Sequence, residues 1–391
     1  MMTSNIFTMD LRTLSGVMLF WWTCTIGFAR ENESAPFVDY PEPIVDYLQR
    51  IQEGKQSHAF DASQDFASWQ RDARRALEDL VGLNRMRRDL AQFEPSITLS
   101  DPVIVDDAFT RTQGAIETEP GITIPFYLLV PVDAKLAKTH PLMLCPHGHD
   151  SKGWHSYAGA YQNDDHRNEI VSREGNIAEQ AARRGFIAIA PATRGLAAEV
   201  NVPDLKGRHG KRPCRAQLIH CLVAGRTPLA ERLWDMQRLL DWACKLPKVD
   251  SQRILMTGNS GGGVLTAYTA AIDTRIAVAI PSCSFTSLTS QEGFLFHCDC
   301  CLVPGLRDWG DWKEIGGLIA PRHLLIVHGR KDGLHHHKTV ESTAQSVATI
   351  YDQIGYPHRM RLQWGEEGHR FYPRYMWPFA KTAFFPKTDG Q

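Results

Sequence analysis

The sequence predicts an α/β fold in which a mostly parallel central sheet is flanked by helices, preceded by a helical N-terminal extension. One observation behind this prediction is that short apolar runs alternate with stretches of helical periodicity from about residue 140 onwards. The other is an apolar strand, Ile254 to Thr257, that turns through Gly258-Asn259-Ser260-Gly261-Gly262 into a helix of small residues. Such strand-to-helix turns are typical of βαβ units, whose strands run parallel.

The N-terminus differs in composition from the rest of the chain. Leu14 to Ala29 is an apolar run with Arg12 upstream, and it ends in the small-x-small triplet Gly27-Phe28-Ala29. We predict a signal peptide over residues 1–29, and hence a secreted or periplasmic protein with no membrane span after cleavage. A retained membrane anchor and a later start at Met9 are the other interpretations.

Residues 30–100 lack strand periodicity and are predicted to form a helical extension packed on the core. Apolar residues recur there at three- and four-residue spacing and end at a glycine: Phe66, Trp69, Ala73, Leu77 and Leu80, followed by Gly82. Their polar face mixes Arg with Asp and Glu, which indicates a structural role. The second predicted domain covers residues 101–391 and contains the sheet.

This domain is predicted to open with antiparallel edge strands and to continue with parallel ones. The predicted edge strands are Val103 to Val105, Gly114 to Glu117 and Pro125 to Val130, and the parallel strands are Pro141 to Cys145, Phe186 to Ala190, Ile254 to Thr257, Ile276 to Ile280, His323 to His328 and Met360 to Trp364. Helix starts are predicted at Asn176 with Glu179 as a capping box, and at Thr227-Pro228 as N-cap and N1 proline.

Ser260 is the predicted nucleophile. It is the serine of a G-x-S-x-G turn, where flanking glycines avoid collisions with the neighbouring strand and helix. The helix start behind Ser260 directs free N–H groups, Gly261 first, towards the place where an oxyanion would form. The five-residue pattern alone also fits an ordinary glycine-rich turn.

Two later strands end in the remaining residues that acyl transfer requires. Asp332 follows the strand that ends at His328, and His369 follows the strand that ends at Trp364. The chain order Ser260, Asp332, His369 differs from the orders in the two large serine protease classes. We rank His335 to His337 below His369 as the base, and Glu366, Glu367 and Asp311 below Asp332 as the acid.

At these motifs the chain resembles the α/β hydrolases of the dienelactone hydrolase and acetyl xylan esterase-like group. The similar segments are Cys145-Pro-His-Gly-His149, Gly258 to Gly262, Leu318-Ile-Ala-Pro-Arg322, Gly329-Arg-Lys-Asp332 and Gly368-His369. The resemblance implies an α/β-hydrolase fold and, through the residue after the His-Gly pair, a second oxyanion N–H from the backbone of His149. His147 is expected to brace that loop. A serine where true dienelactone hydrolases carry cysteine implies ordinary ester substrates.

The predicted function is therefore a serine carboxylic ester hydrolase acting on acetyl or other ester groups of carbohydrates. A serine peptidase of the same fold and an inactive hydrolase-like binding protein are the alternatives. The mechanism needs no cofactor. The formal net charge of -1 gives no electrostatic reason to expect nucleic acid as a partner, and the sequence leaves the oligomeric state open.

Eight cysteines remain after removal of the predicted signal peptide, an even number that permits disulfides. The segment His297-Cys298-Asp299-Cys300-Cys301 lacks the paired C-x-x-C spacing of structural zinc sites, so no metal is predicted there. Buried cysteines or one local disulfide are the preferred interpretations.

Three loop features have two interpretations each. Trp154, Tyr157 and Tyr161 lie in a polar segment where they could stack on a sugar ring or pack on neighbouring residues. Arg194 follows a strand and could face the site or pair with a carboxylate that fixes the loop. The basic segment from Leu196 to Arg226 could be a cap over the pocket suited to an anionic substrate such as a uronic acid ester, or a solvated loop.

Overall fold

The computed structural model describes residues 41–52, 56–132, 139–288 and 297–385. The predicted signal peptide lies outside these residues. Of the described helices, none is long and apolar enough to cross a membrane.

One mixed sheet organises the described chain, with the strand order β1-β3-β4-β6-β5-β7-β8-β9-β10 and with β2 beside β3. Strands β1 to β4 pair antiparallel, β4 pairs antiparallel with β6, and the run from β6 to β10 is parallel. The strands are β1 Ser96–Leu99, β2 Val103–Val105, β3 Phe109–Glu119, β4 Ile122–Pro131, β5 His140–Leu144, β6 Ile187–Pro191, β7 Val249–Asn259, β8 Val278–Ser282, β9 His323–Gly329 and β10 Met360–Gly365. The predicted fold class is confirmed.

Helices pack on both faces of this sheet. The described helices are α1 Glu42–Gln52, α2 Phe66–Val81, α3 Leu83–Asp89, α4 Gly153–Tyr157, α5 Asp164–Ser172, α6 Ile177–Ala182, α7 Pro213–Ala224, α8 Pro228–Ala243, α9 Gly261–Ile272, α10 Leu306–Trp309, α11 Trp312–Ile319, α12 His337–Gln353 and α13 Pro373–Phe384. Alternate residues of β5 belong to different hydrophobic clusters, Leu142 and Leu144 to one and Met143 to the other, because successive side chains of a strand point to opposite faces.

Helices α2 and α8 begin as their sequences predict. Asp65 accepts a hydrogen bond from the Ser68 N–H at 2.8 Å, and the Thr227 hydroxyl accepts one from the Ala230 N–H at 3.0 Å with Pro228 in the first turn. The capping box predicted at Asn176 is wrong. The Asn176 side chain donates to the Glu179 carboxylate at 2.9 Å and caps no backbone N–H of α6.

The region before residue 100 contributes to the same core as the sheet. Trp69, Ala73, Leu77 and Val81 of α2 are buried in the larger hydrophobic cluster. Strand β1, however, lies within the span predicted to be helical, and it pairs with β3 in register Ser96 to Glu117. Its four residues are too few to show a periodicity of their own, and the pairing with β3 is what makes them a strand.

Three other segments are more ordered than their sequences indicate. Strand β3 extends well beyond the predicted Gly114 to Glu117, although it is rich in Thr, Gln and Glu, because it pairs with β4 along almost its whole length. Helices α4 and α5 lie in the polar segment after β5. Helix α7 lies in the basic segment from Leu196 to Arg226, for which the sequence indicated no helix.

Candidate active site

The predicted nucleophile lies on a sharp turn at the carboxyl end of β7. Ser260 has φ 59° and ψ −124°, a backbone conformation that non-glycine residues rarely adopt. Its N–H donates to the Ser282 carbonyl at 2.9 Å, and its carbonyl accepts from Gly263 and Val264 at the start of α9. These bonds hold Ser260 in the strained conformation, with its side chain partly exposed at the sheet edge.

The neighbouring glycines are required by close backbone contacts. A Cβ atom on Gly258 would lie 2.4 Å from the Pro146 carbonyl oxygen, and one on Gly262 would lie 2.2 Å from the same atom. A Cβ on Gly148 would lie 2.6 Å from the Asn259 carbonyl oxygen and 3.0 Å from Cβ of Ser260. The loop after β5 therefore packs directly against the serine turn.

Asp332 and His369 meet where β9 and β10 end side by side. His369 Nδ1 donates to Asp332 Oδ2 at 2.8 Å, and the Leu334 N–H donates to Asp332 Oδ1 at 3.0 Å. The pKa of Asp332 falls to about 2, because its hydrogen bond and charge interaction with His369 outweigh burial, which alone would raise it. The imidazole is thus held by a carboxylate that stays ionised.

His369 Nε2, on the other side of the ring, is shielded from solvent and makes no hydrogen bond to the described residues. His369 and Ser260 line the same pocket, which has a volume of about 380 Å³. The serine hydroxyl itself makes no hydrogen bond within the described part of the chain. The structure thus places the three predicted residues at one site, but Ser260 and His369 are not hydrogen-bonded to each other.

The rival acids have other contacts. Asp311 caps α11 with Glu314 and accepts from the Ser287 hydroxyl and the Leu288 N–H. Glu366 and Glu367 are exposed and lie 3.9 and 3.7 Å from basic side chains. None of these carboxylates makes a hydrogen bond to His369.

Of the rival histidines, His335 lies next to the site. His335 Nε2 donates to the Cys283 carbonyl at 3.1 Å, and burial lowers its pKa to about 4, so its imidazole is neutral. Its ring centroid lies 6.3 Å from that of His369. His335 and the buried Cys283 both border the pocket beside Ser260, and the sequence reasoning assigned neither of them to the pocket wall.

Two backbone N–H groups beside the serine turn have no hydrogen-bond partner among the described residues. Gly261 is the first residue of α9, so its N–H has no partner within the helix. The His149 N–H makes no hydrogen bond within the described residues, and the His149 ring would lie 3.1 Å from a Cβ on Gly261. The predicted oxyanion donors are therefore neighbours in the structure.

His147 braces the loop that carries His149, as predicted. Its Nδ1–H donates to the Gly148 carbonyl at 2.8 Å, and its Nε2 accepts from the Thr193 N–H at 2.9 Å. Burial lowers the pKa of His147 to about 4, which keeps the imidazole in the neutral form that both bonds require.

The loop aromatics and Arg194 have structural contacts. Trp154 is 1% exposed and stacks on Tyr127, and the Tyr161 hydroxyl donates to Glu179 at 2.6 Å. Arg194 is buried and pairs with Asp235 and Glu119. Packing on neighbours is thus the correct interpretation for Trp154 and Tyr161, and fixing of the loop is correct for Arg194. Tyr157, in contrast, lines the pocket that Ser260 and His369 share.

Ser260 also lines a second, larger pocket of about 560 Å³. Its wall includes Lys211 and Arg212, which lie in the basic segment immediately before α7. The basic segment therefore borders the site, as the cap interpretation predicted.

Comparison with known proteins decides the family. Residues 44–280 match the Abhydrolase family, and this range covers more than half of the chain. The chain belongs to the Abhydrolase family. YtaP of Bacillus subtilis (strain 168), a protein assigned as a hydrolase, is 28% identical over 156 residues, which is 38% of this chain. The chain matches half of the length of that curated relative.

Solved structures with a similar fold include carbohydrate esterases by name. A protein assigned as an acetyl xylan esterase from Bacteroides fragilis has a TM-score of 0.64 at 16% identity, covering 87% of this chain and 84% of its own. The methylesterase BT1017 has a TM-score of 0.59 at 22% identity, with coverage of 89% and 70%. A glucuronoyl esterase from Solibacter usitatus has a TM-score of 0.58 at 16% identity, with coverage of 75% and 87%. The predicted membership of the α/β hydrolases is confirmed.

Proposed function

We propose that this Abhydrolase family member is a serine carboxylic ester hydrolase that removes acetyl or other ester-linked groups from carbohydrates. The observation that carries the proposal is the Asp332–His369 hydrogen bond, which leaves His369 Nε2 unpaired in a pocket that Ser260 also lines. A carboxylate that orients an imidazole beside a serine on a strained turn is the arrangement that acyl transfer requires.

The chemistry follows from these positions. His369 Nε2 accepts the Ser260 proton as the hydroxyl oxygen attacks the ester carbonyl, and Asp332 stabilises the resulting imidazolium. The N–H groups of His149 and Gly261 donate to the oxyanion, and each such donor contributes roughly 3 to 4 kcal/mol in comparable sites. The imidazolium protonates the departing alcohol. Water then attacks the acyl-enzyme, with His369 again as the base, and releases the acid.

The pockets support a substrate that is larger than a simple acetate ester. The two pockets that share Ser260 have volumes of about 560 and 380 Å³, within the size range of sites for small organic ligands. The names of the structural neighbours, which include acetyl xylan, methyl and glucuronoyl esterases, favour a carbohydrate ester over a peptide. At their low identity this argument is by analogy of fold.

The first experiment measures hydrolysis of acetylated xylooligosaccharides, methyl-esterified uronates, short acyl nitrophenyl esters and peptides by wild type and Ser260→Ala. We expect ester hydrolysis that the substitution abolishes. The matched control is Ser342→Ala, an exposed serine of α12 that lines neither of the two pockets beside Ser260. If the wild type cleaved only peptides, the result would favour the peptidase alternative. If the wild type cleaved none of the substrates, the result would favour an inactive binding protein.

The cationic wall favours a substrate with an acidic sugar near the ester. Lys211 and Arg212 line the larger pocket beside Ser260. The double variant Lys211→Gln and Arg212→Gln is expected to raise KM for oligosaccharides that carry a free carboxylate, and to leave KM for neutral acetylated ones unchanged. If the variant and wild type had the same KM for the oligosaccharides that carry a free carboxylate, these charges would not select the substrate.

A further inference from the structure

Three distant parts of the chain bring one imidazole and three thiols together beside the larger pocket. His149 follows β5, Cys214 lies in the first turn of α7, and Cys298 and Cys300 lie at the 3₁₀ turn Asp299–Cys301. One ligand-type atom from each of these four residues lies within 4.8 Å of the other three.

The distances within this group match tetrahedral coordination. Cys214 Sγ and Cys298 Sγ are 3.8 Å apart, and His149 Nε2 and Cys300 Sγ are 3.3 Å apart. In a tetrahedral zinc site with bonds of about 2.3 Å to sulfur and 2.0–2.1 Å to nitrogen, two sulfurs lie about 3.8 Å apart and a sulfur and a nitrogen about 3.6 Å apart. The side chains are thus spaced to surround one ion.

The cysteines of the group are not arranged as a disulfide. All eight cysteines of the described residues are free. The 3.8 Å separation of Cys214 and Cys298 is far from the S–S bond length of about 2.05 Å.

Arg232 provides independent support. It is only 1% exposed, and within the described residues its guanidinium forms no ion pair with a carboxylate. Its bonds go to the Arg194 carbonyl, the Gln217 amide oxygen and Cys300, whose Sγ lies 3.4 Å from Arg232 Nη1. A buried guanidinium needs an anionic partner, and a thiolate at Cys300 supplies one.

We propose that His149, Cys214, Cys298 and Cys300 bind one zinc ion. Three thiolates and one imidazole form a ligand set typical of structural zinc sites. The ligands bind as three thiolates and one neutral imidazole coordinated through Nε2, and the protons that these groups carry in the metal-free protein pass to solvent. The three thiolates and one Zn²⁺ carry a net charge of −1, which the Arg232 guanidinium balances.

The consequence for the fold is a crosslink between the pocket wall and the oxyanion loop. Four protein ligands close the coordination sphere, so the ion has a structural role. It ties α7 and the 3₁₀ turn to His149, whose backbone N–H is one of the two proposed oxyanion donors. The proposed site differs from the sequence prediction of no metal, because the four ligands come together only through the tertiary packing of segments that lack a zinc-binding spacing.

The first test is the metal content of purified wild type by inductively coupled plasma mass spectrometry after growth with added zinc and removal of free metal. We expect about one zinc per chain. The double variant Cys214→Ser and Cys298→Ser should contain close to none, whereas Cys244→Ser, a cysteine outside the group, should keep the wild-type content. Wild type with no more zinc than the double variant would overturn the proposal, whether or not that variant folds.

Two further measurements on wild type test whether the thiols bind a metal or form a disulfide. Cobalt exchanged into the site should give the strong visible absorption of a tetrahedral cobalt thiolate, and its absence would contradict the proposed geometry. Peptide mapping without reductant should recover all three cysteines unlinked, and a Cys214–Cys298 disulfide would overturn the proposal. Ester hydrolysis is measured separately, so failure of the zinc site and failure of the proposed activity can be told apart.

Discussion

At the scale of single residues, Asp332 is the group that positions His369. It is 3% exposed and hydrogen-bonded to His369 Nδ1, so it selects the tautomer whose Nε2 accepts a proton. Asp332→Asn can present its amide N–H to Nδ1 and thereby favour the wrong tautomer. We expect kcat for ester hydrolysis to fall by roughly 10⁴ with little change in KM, as for the equivalent change in a serine protease.

The control for this prediction is Glu367→Gln, which removes an exposed carboxylate two residues from His369. Its kcat should stay within about twofold of wild type. A larger loss in Glu367→Gln than in Asp332→Asn would transfer the orienting role to Glu367.

The residues of the candidate site could be predicted because parallel strands end at one edge of a sheet. Ser260, Asp332 and His369 each follow such a strand, so their convergence follows from topology alone. The side chain of His149 could not be predicted to approach Cys214 and Cys300. Those contacts depend on how two long loops fold over the sheet edge, and loop packing leaves no periodic signal in the sequence.

The serine turn as an element depends on the absence of side chains where β7 joins α9. A Cβ on Gly262 would lie 2.2 Å from the Pro146 carbonyl oxygen and 2.9 Å from the His147 carbonyl carbon, both backbone atoms that cannot rotate away. Gly262→Ala should therefore lower the free energy of unfolding by about 3 kcal/mol and displace the oxyanion loop, with loss of activity. Chemical denaturation and ester assays measure both effects.

The control is Gly333→Ala, because a Cβ there meets nothing within 4 Å. Its free energy of unfolding should lie within about 0.5 kcal/mol of wild type. Equal stability of the two variants would show that the turn can open without cost.

The contacts of Arg194 link the loop after β6 to two other elements. Its guanidinium binds Asp235 of α8 and Glu119 at the end of β3, and Asp235 is 1% exposed. Arg194→Met keeps much of the side-chain volume but leaves the carboxylates without their main partner, which should cost roughly 3–5 kcal/mol of stability. The double variant Arg194→Met and Asp235→Leu should recover part of that loss. A further loss of stability in the double variant would contradict the pairing.

Contacts of this kind also explain why the C-terminal part of β3 was not predicted from the sequence. The C-terminal part of β3 is polar, and Thr118 is buried there because its hydroxyl donates to Asp235 at 2.6 Å. A strand whose inward residues are satisfied by hydrogen bonds loses the alternation of apolar and polar residues by which strands are recognised. The apolar parallel strands are buried on both faces, and their continuous apolar runs made them recognisable in the sequence.

At the scale of the whole molecule, the fold buries histidine side chains in their neutral form. His335 is 8% exposed, and its pKa is lowered to about 4, mainly by burial, with a partly opposing effect of Asp332 and a further lowering by His369. His328 is fully buried and its pKa is also lowered. The unfolded chain, in contrast, binds protons at these histidines near their usual pKa of about 6.5.

The protein should therefore lose stability as the pH falls from about 6.5 to 4. In this window the unfolded state binds more protons at His335 than the folded state, so the free energy of unfolding rises with pH. The difference between a pKa of about 4 and the usual 6.5 corresponds to about 3 kcal/mol once the pH reaches 4. His335→Gln, whose amide can still donate to the Cys283 carbonyl, removes this contribution. Urea unfolding at a series of pH values should give a slope between pH 4 and 6.5 that is smaller by about one proton in the variant. Parallel pH profiles for variant and wild type would mean that His335 is protonated equally in the folded and unfolded states.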